Sequence, residues 1–267
     1  MNKFMCELKS AFMFNRDRRR RFRAEHSEIL HPEKRMERIV AEALSTFAMH
    51  QAAFASYKNR YSGRDVVIVA AGPTVNDYRP ISGAIHIGVN TAYRCDKVDF
   101  DFIFFQDSPD HLRDMVLGIN AYRPGICKKF YGIITERVYG KGDCTCSESD
   151  AAVADAFRYR VLTGSRDRIS YDISTMPLVD YGNIVFPALQ FALWTNPRRI
   201  YLVGCDCSSN GHFFSSKPNW LPLDSIFRGY RDMKEFAHKW YPDTEIVSIN
   251  PVGLKGFFRD EYQTGNI

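Results

Sequence analysis

The feature that most constrains the fold is a near-continuous apolar run, VVIVAAG at residues 66–72, which leads into Gly-Pro-Thr. A strand with one face in water alternates apolar and polar residues, whereas a continuous apolar run indicates a strand buried on both faces. Similar runs recur at 84–90 (AIHIGVN) and 100–107 (FDFIFFQD), and each ends in polar residues. Strands of this kind predict a parallel sheet with helices on both sides.

The rest of the chain continues this alternation. We predict further strands at residues 125–135, 198–206 and 244–250, with loops and short elements in residues 136–170. Apolar periodicity predicts helices at residues 32–60, 109–117, 184–194 and 232–240. Strand, polar turn and helix in succession are typical of βαβ units. The predicted fold is therefore α/β, a Rossmann-like, doubly wound and mainly parallel sheet.

The charge of the chain is concentrated near its N-terminus. The net charge is +5, and residues 16–23, RDRRRRFR, contain six arginines and one aspartate. The remainder is nearly neutral, which argues against a nucleic-acid-binding face spread over the fold. Apolar residues at helical spacing precede the arginines: Phe4, Met5, Leu8, Phe12 and Met13. This pattern is typical of a helix on an anionic membrane surface; a disordered basic tail or a helix packed on a partner chain is the alternative.

We therefore predict a basic helical extension over residues 1–62 and a Rossmann-like domain over residues 63–267. The seven cysteines include two CxC pairs but no CxxC, so zinc is not indicated and reduced cysteines in the cytoplasm are expected. Apolar runs of 18 residues are absent from the sequence, so no membrane-spanning helix is predicted. The motifs GxxxxGK[ST], GxGxxG, GxSxG and HExxH are also absent, which argues against the common ATPases, NAD enzymes, hydrolases and metalloproteases.

Four polar turns should meet at one edge of the sheet, because ligands of such sheets lie outside the carboxyl ends of the strands. Amide, hydroxyl and carboxylate groups in these turns suit a nucleotide. Gly72 would let the backbone approach a ligand or adopt a positive φ, and Thr74 would offer a hydroxyl and an N–H. An ordinary strand-to-helix turn is the alternative. The turns are Gly72-Pro73-Thr74, Asn90-Thr91, Gln106-Asp107-Ser108 and residues 204–210.

Three motifs in order resemble a known family. VVIVAAGPTVNDY followed by AIHIGVNTAYRC resembles the opening of the bacterial CMP-sialic-acid-dependent sialyltransferases and related surface-glycan and flagellin glycosyltransferases. RRIYLVGCDCSSNG and MKEFAHKWYPDTEIVSINPVGLKGFF are similar to their later strand-and-turn and closing motifs. The archaeal 6-hydroxymethyl-dihydropterin diphosphokinase shares the opening. The resemblance covers about residues 65–258 and implies a GT-A-like variant of the fold.

The resemblance implies an inverting glycosyltransferase. It would move a sugar, sialic-acid-like in the relatives, from a nucleotide donor, CMP-linked in the relatives, to a hydroxyl of a bacterial surface glycan. It implies no cofactor and no metal ion. The basic extension would hold the protein at the cytoplasmic face of the inner membrane, near lipid-linked acceptors. The implied nucleotide-binding residues are Gly72, Pro73, Thr74, Asn90, Thr91, Gln106, Asp107, Ser108, Tyr181, Gly182 and Asn183.

The catalytic base stays open, because residues 225–231 lack the histidine that the family carries before its closing helix. The family's paired tyrosines match Ser208 and Phe214 here. His212 lies in that segment, and a histidine can accept a proton near neutral pH. Asp206 and Asp224 are the other candidate bases. Four basic residues could offset the charge of a leaving phosphate: Lys217, Arg228, Arg231 and Lys255.

Two other functions stay open. Asp107 and Asp110 could hold Mg²⁺, as a diphosphokinase-like ATP enzyme would need, although Asp107 could equally bond a ribose or cap a helix. The missing family histidine would instead fit a non-catalytic nucleotide- or glycan-binding subunit of a polysaccharide assembly complex. Association of the chain with itself is left open as well.

Overall fold

The computed structural model describes residues 3–11, 16–106, 113–134, 156–162, 164, 166–218 and 221–263. The chain divides into two compact units, residues 1–47 and 48–267. The first unit contains α1 (Lys3–Ala11), α2 (Arg16–Glu25), α3 (Ser27–Leu30) and the start of α4 (Pro32–Phe54). The remainder of α4 belongs to the second unit.

A small apolar core holds the first unit together. Cys6, Phe22 and Leu30 form this core, one from each of α1, α2 and α3. Arg23 Nε donates a hydrogen bond to Ser10 Oγ at 2.9 Å. The Lys9 ammonium lies 5.7 Å from the centroid of the Phe22 ring. The core is small, so the first unit depends on few buried side chains.

The second unit is built on a nine-stranded sheet. Its strands are β1 (Asp65–Val69), β2 (Ile85–Val89), β3 (Phe102–Gln106), β4 (Lys128–Ile134), β5 (Ala156–Leu162), β6 (Leu178–Val179), β7 (Arg199–Val203), β8 (Glu245–Ile249) and β9 (Arg259–Glu261). Their order in the sheet is β6-β5-β4-β3-β2-β1-β7-β8-β9, and every neighbouring pair is parallel. The chain thus runs outward from β1, returns to the centre and continues on the other side with β7. This reversal between β1 and β7 is the switch point of a doubly wound fold.

All six predicted strands are present, and the sheet is parallel throughout the described residues rather than mainly parallel. We predicted loops and short elements in residues 136–170, and this segment contains β5, a strand of seven residues that was not predicted individually. The sequence of β5, AFRYRVL, mixes apolar and charged residues, so it lacks the apolar run that marked the other strands. Its strand conformation comes from pairing with β4, from Lys129↔Ala156 to Ile134↔Val161.

Helices cover both faces of the sheet. Residues of β1 show this directly, because Val66 and Ile68 belong to one apolar core and Val67 and Val69 to the other. The first core includes the end of α4, α6 (Val185–Trp194) and α7 (Leu223–Trp240), and the second includes α5 (Arg113–Ala121). The continuous apolar run of β1 is thus buried on both faces, as predicted.

The helix boundaries differ from the predicted ones in three places. Helix α5 ends at Ala121, beyond the predicted end at 117. Helix α7 begins at Leu223, nine residues before the predicted start at 232, because Ile226, Tyr230, Met233 and Ala237 extend one buried face. Helix α4 ends at Phe54, and a short 3₁₀ helix, Ala55–Tyr57, follows it. Across the described ranges, none of the helices is both long enough and apolar enough to cross a lipid bilayer.

Candidate functional site

Sharp turns follow three central strands at their carboxyl ends. Asn90, Gly204 and Asn250 come directly after β2, β7 and β8, with φ of 45°, 66° and 47°. This left-handed region is accessible mainly to glycine and asparagine. Each turn directs the chain away from the sheet at once, so the polar residues after the strands stay at its carboxyl edge.

A cavity of about 360 Å³ lies at this edge, at the switch point between β1 and β7. Its volume is near the lower end of the range of small-molecule sites. The described lining residues come from the carboxyl ends of five strands or the segments after them, and from the three helices α5, α6 and α7: 70–72, 89–91, Gln106, Met115, 182–185, 204–208, 211–212, Leu221, Ile226 and Tyr230.

The cavity brings together residues that the sequence analysis selected from distant parts of the chain. Eight of them line it: Gly72, Asn90, Thr91, Gln106, Gly182, Asn183, Asp206 and His212. Four described candidates do not line it: Pro73, Thr74, Tyr181 and Asp224. Asp107, Ser108 and Asp110 lie outside the described residues.

The segment after β1 is held against the segment after β7. Gly72 N–H donates to Gly204 O at 2.8 Å, and Thr74 N–H donates to Asp206 Oδ2 at 3.1 Å. The Thr74 hydroxyl donates to Asp206 Oδ1. We call Gly72, Thr74, Gly204 and Asp206 the clasp group, because they join the two segments at the switch point.

The clasp group changes the interpretation of Gly72. Its φ is −64°, so the positive φ considered above is not observed. A Cβ atom at Gly72 would lie 2.5 Å from both Gly204 O and Asp206 Cγ. Glycine is required here because one loop packs closely on another, and its N–H group already has a partner.

Asp206 is buried at the centre of the clasp group. Burial raises the pKa of this carboxyl, and the two hydrogen bonds from Thr74 partly oppose that rise. Burial together with the Asp206 charge raises the pKa of the neighbouring Cys207 to about 12. The thiol of Cys207 is therefore neutral near pH 7, and both oxygens of Asp206 are engaged with Thr74.

Gln106 presents an acceptor without a partner. Its side chain is only 6% exposed, and its Nε2 donates to Asp180 Oδ2 at 3.2 Å. Asp180 Oδ1 accepts a bond from Gly182 N–H at 3.0 Å. A carboxylate only accepts hydrogen bonds, so Asp180 sets the amide orientation, and Gln106 Oε1 has no partner among the described residues.

The prediction missed Asp180. It follows a two-residue strand in LVDYGN, and an aspartate directly after an apolar pair was the available signal.

His212 lies on a loop that is tied to the first strand's turn. Phe213 N–H donates to Ala71 O at 2.9 Å, and His212 and Ser215 exchange backbone hydrogen bonds. The His212 ring stacks on Phe214, with centroids 5.3 Å apart and 17° between the planes. Within the described part of the chain, no hydrogen bond reaches its ring, and the buried Ser208 Oγ is likewise without a partner.

Two further candidates, Asp224 and Tyr181, lie outside the cavity lining. Asp224 is exposed in the first turn of α7. Tyr181 is fully buried and donates its hydroxyl to Asp232 Oδ2 at 2.6 Å. Burial and Asp232 both raise the pKa of Tyr181. Tyr181 is therefore hydrogen-bonded to α7 through Asp232. Its neighbours Gly182 and Asn183 line the cavity.

The described lining of the cavity contains no lysine or arginine. The four basic residues that the sequence suggested, Lys217, Arg228, Arg231 and Lys255, are exposed and lie outside the lining. The described residues also hold no cluster of three or more histidine, cysteine, aspartate or glutamate side chains that could bind a metal ion. The five described cysteines are free: Cys6, Cys95, Cys127, Cys205 and Cys207.

Comparison with models of known protein families, with curated proteins and with solved structures gave no match.

Proposed function

We propose that the protein is an inverting, GT-A-like glycosyltransferase that moves a sugar from a nucleotide donor, CMP-linked, to a hydroxyl of a bacterial surface glycan. The observation that carries the proposal is Gln106 Oε1, a buried acceptor with no described partner in the cavity at the switch point. Buried polar atoms in proteins nearly always have a partner. A donor group on a bound nucleotide would supply the partner that the described residues do not.

The neutral polar lining supports a nucleotide. Asn90, Thr91 and Asn183 place amide and hydroxyl groups around the cavity, next to apolar residues such as Val89 and Ile226. Apolar walls with a few oriented polar groups are typical of sites for small organic molecules. The sequence resemblance assigns Asn90, Thr91 and Gln106 to the nucleotide as well.

His212 is the base that the geometry favours. His212 lines the cavity and its ring has no described hydrogen-bond partner, whereas both oxygens of Asp206 accept bonds from Thr74 and Asp224 is exposed outside the lining. In the proposed reaction a ring nitrogen of His212 takes the proton of the acceptor hydroxyl. That oxygen bonds to the anomeric carbon, and the bond from this carbon to the phosphate oxygen breaks. The nucleotide leaves with the electron pair, and attack from the opposite side inverts the carbon.

Titration calorimetry with CMP, UDP, GDP and ATP tests the proposal. We expect CMP to bind and the other nucleotides to bind more weakly. Absence of binding to every nucleotide would contradict the proposal. Binding of ATP with Mg²⁺ and a pterin would favour the diphosphokinase. Binding of CMP without turnover of any CMP-sugar would favour a non-catalytic subunit.

The first unit supports a position at an anionic membrane. Phe4 and Leu8 on α1 are 67% and 44% exposed, and Arg20, Arg21 and Arg23 on α2 are exposed as well. Exposed apolar and basic side chains together favour an anionic lipid surface. We propose that this unit docks on the cytoplasmic face of the inner membrane, where lipid-linked acceptors would lie.

Sedimentation with lipid vesicles tests this docking. The full chain should bind vesicles that contain phosphatidylglycerol and release them at high salt, because the attraction is partly electrostatic. The double variant Phe4→Asp/Leu8→Asp should lose binding. The control Leu117→Asp changes a leucine of the second unit that is 54% exposed, and it should keep binding. Equal binding to neutral phosphatidylcholine vesicles would contradict an electrostatic contribution to membrane binding.

A further inference from the structure

The proposed reaction needs a positive group near the donor's phosphate, and the clasp group cannot supply one. The N–H groups of Gly72 and Thr74 already donate to Gly204 and Asp206. Lysine and arginine are absent from the described lining of the cavity. A phosphate bound there would therefore need its charge balanced from another direction.

Arg94 is exposed and contacts two aromatic rings, and it is not itself a lining residue of the cavity. It ends the 3₁₀ helix Asn90–Arg94, whose first two residues line the cavity. Its Cζ lies 4.7 Å from the centroid of Phe214 and 5.8 Å from that of Tyr93. Its Nε donates to the Tyr93 hydroxyl at 3.3 Å, and no ion pair joins it to a described carboxylate. The rings favour this position of the guanidinium, and its charge is not paired with a described carboxylate.

The same ring contacts connect Arg94 to the cavity. Phe214, which lies under the guanidinium, stacks on His212, and His212 lines the cavity. Ser208 also lines the cavity, and its buried hydroxyl has no partner in the described part of the chain. A guanidinium and a hydroxyl are the donors that bind a phosphate group strongly in proteins.

We propose that Arg94 and Ser208 form an anion site that binds the phosphate of the donor and offsets its charge as the nucleotide leaves. This inference rests on the proposed function for the identity of the anion. It moves phosphate binding from the turn after β1 to Ser208 in the cavity lining and to Arg94, which lies outside that lining and contacts Phe214 of the neighbouring loop.

Calorimetry with three probes tests the site: CMP, cytidine and inorganic pyrophosphate. The variants are Arg94→Gln and, as a matched control, Arg64→Gln. Arg64 is also exposed, lies 5.7 Å from the centroid of Tyr61 and donates to Gly83 O, but it precedes β1 at the opposite edge of the sheet. Arg94→Gln should lower the affinities for CMP and pyrophosphate about tenfold, because a charge-assisted hydrogen bond is lost, and it should leave the affinity for cytidine unchanged. Arg64→Gln should change none of the three affinities. Ser208→Ala should lower the affinity for CMP but not the affinity for cytidine.

The probes separate this inference from the proposed function. The anion site is wrong if Arg94→Gln leaves the affinities for CMP and pyrophosphate unchanged. It is also wrong if the variant lowers the affinity for cytidine as much as the affinity for CMP. If the parent binds pyrophosphate through Arg94 but binds no nucleotide, the anion site stands and the proposed function fails.

Discussion

Two groups of polar residues at the switch point use similar chemistry in opposite ways. The clasp group, defined above, has its polar atoms paired within the protein, as in the two bonds from Thr74 to Asp206. We call Gln106, Ser208 and His212 the binding group. Each of these lines the cavity and carries a side-chain polar atom with no hydrogen-bond partner among the described residues.

We infer different roles for the two groups: the clasp group positions the backbone, and the binding group recognises the ligand. A buried polar pair inside the protein stabilises one arrangement of the backbone, whereas an unpaired buried atom costs stability until a ligand satisfies it. Changes in the clasp group should therefore lower the free energy of unfolding. Changes in the binding group should lower turnover or affinity with little loss of stability.

The largest effect is expected from the base. His212→Asn removes the proton acceptor, so turnover of a CMP-sugar should fall about 10²–10⁴-fold while CMP affinity changes far less. His238→Asn, an exposed histidine in the last turn of α7, is the control and should keep full turnover. Coupled measurement of CMP release checks both. Equal loss of turnover and CMP affinity would remove His212 from its proposed role.

Gly72→Ala should break the clasp group. The new Cβ would lie 2.5 Å from Gly204 O and Asp206 Cγ, so we expect the free energy of unfolding to fall by about 2–3 kcal/mol. Gly83→Ala, where the Cβ meets nothing within 4 Å, should cost only the strain of its positive φ, about 1 kcal/mol. Urea denaturation measures both. A neutral Gly72→Ala would show that the two loops can separate at little cost.

Thr74→Val keeps the side-chain shape but removes the hydroxyl that donates to Asp206 Oδ1. We expect a loss of about 1–2 kcal/mol in the free energy of unfolding, because a buried carboxylate oxygen loses its donor. Thr74→Ser retains the hydroxyl and should cost less. If Thr74→Val instead lowers CMP affinity with normal stability, Thr74 belongs to the binding group.

Asp180→Asn sharpens the comparison by converting one group into the other. The new amide could donate to Gln106 Oε1, which would pair the unpartnered atom and turn Gln106 Nε2 toward the cavity. We expect CMP affinity to fall about tenfold, and stability to stay equal or rise. Asp172→Asn, a half-buried aspartate that accepts bonds from Ser174 outside the cavity lining, should leave CMP affinity unchanged.

The strands were largely predictable because their signal is local. A central parallel strand needs an apolar run and a polar end, and both can be read within ten residues, as in VVIVAAGPT. β9, Arg259–Glu261, carries three charged residues and becomes a strand only through its pairing with β8. No local pattern could indicate it, because the partner strand supplies its hydrogen bonds.

The residues of the candidate site likewise have some features that the sequence predicts and others that depend on the folded structure. The amino-acid pattern was sufficient to place Gly72, Asn90, Gln106 and Asp206 at or after the carboxyl ends of strands of one parallel sheet, and hence at a shared edge. The pairing of their polar atoms became visible in the folded chain: Asp206 accepts two bonds from Thr74, whereas Gln106 Oε1 has no partner among the described residues. The reason is that hydrogen-bond pairing depends on side chains far apart in the sequence, 132 positions in the case of Thr74 and Asp206. Apolar periodicity reports which residues leave water, but it carries no information on which polar atoms find a partner once they are buried.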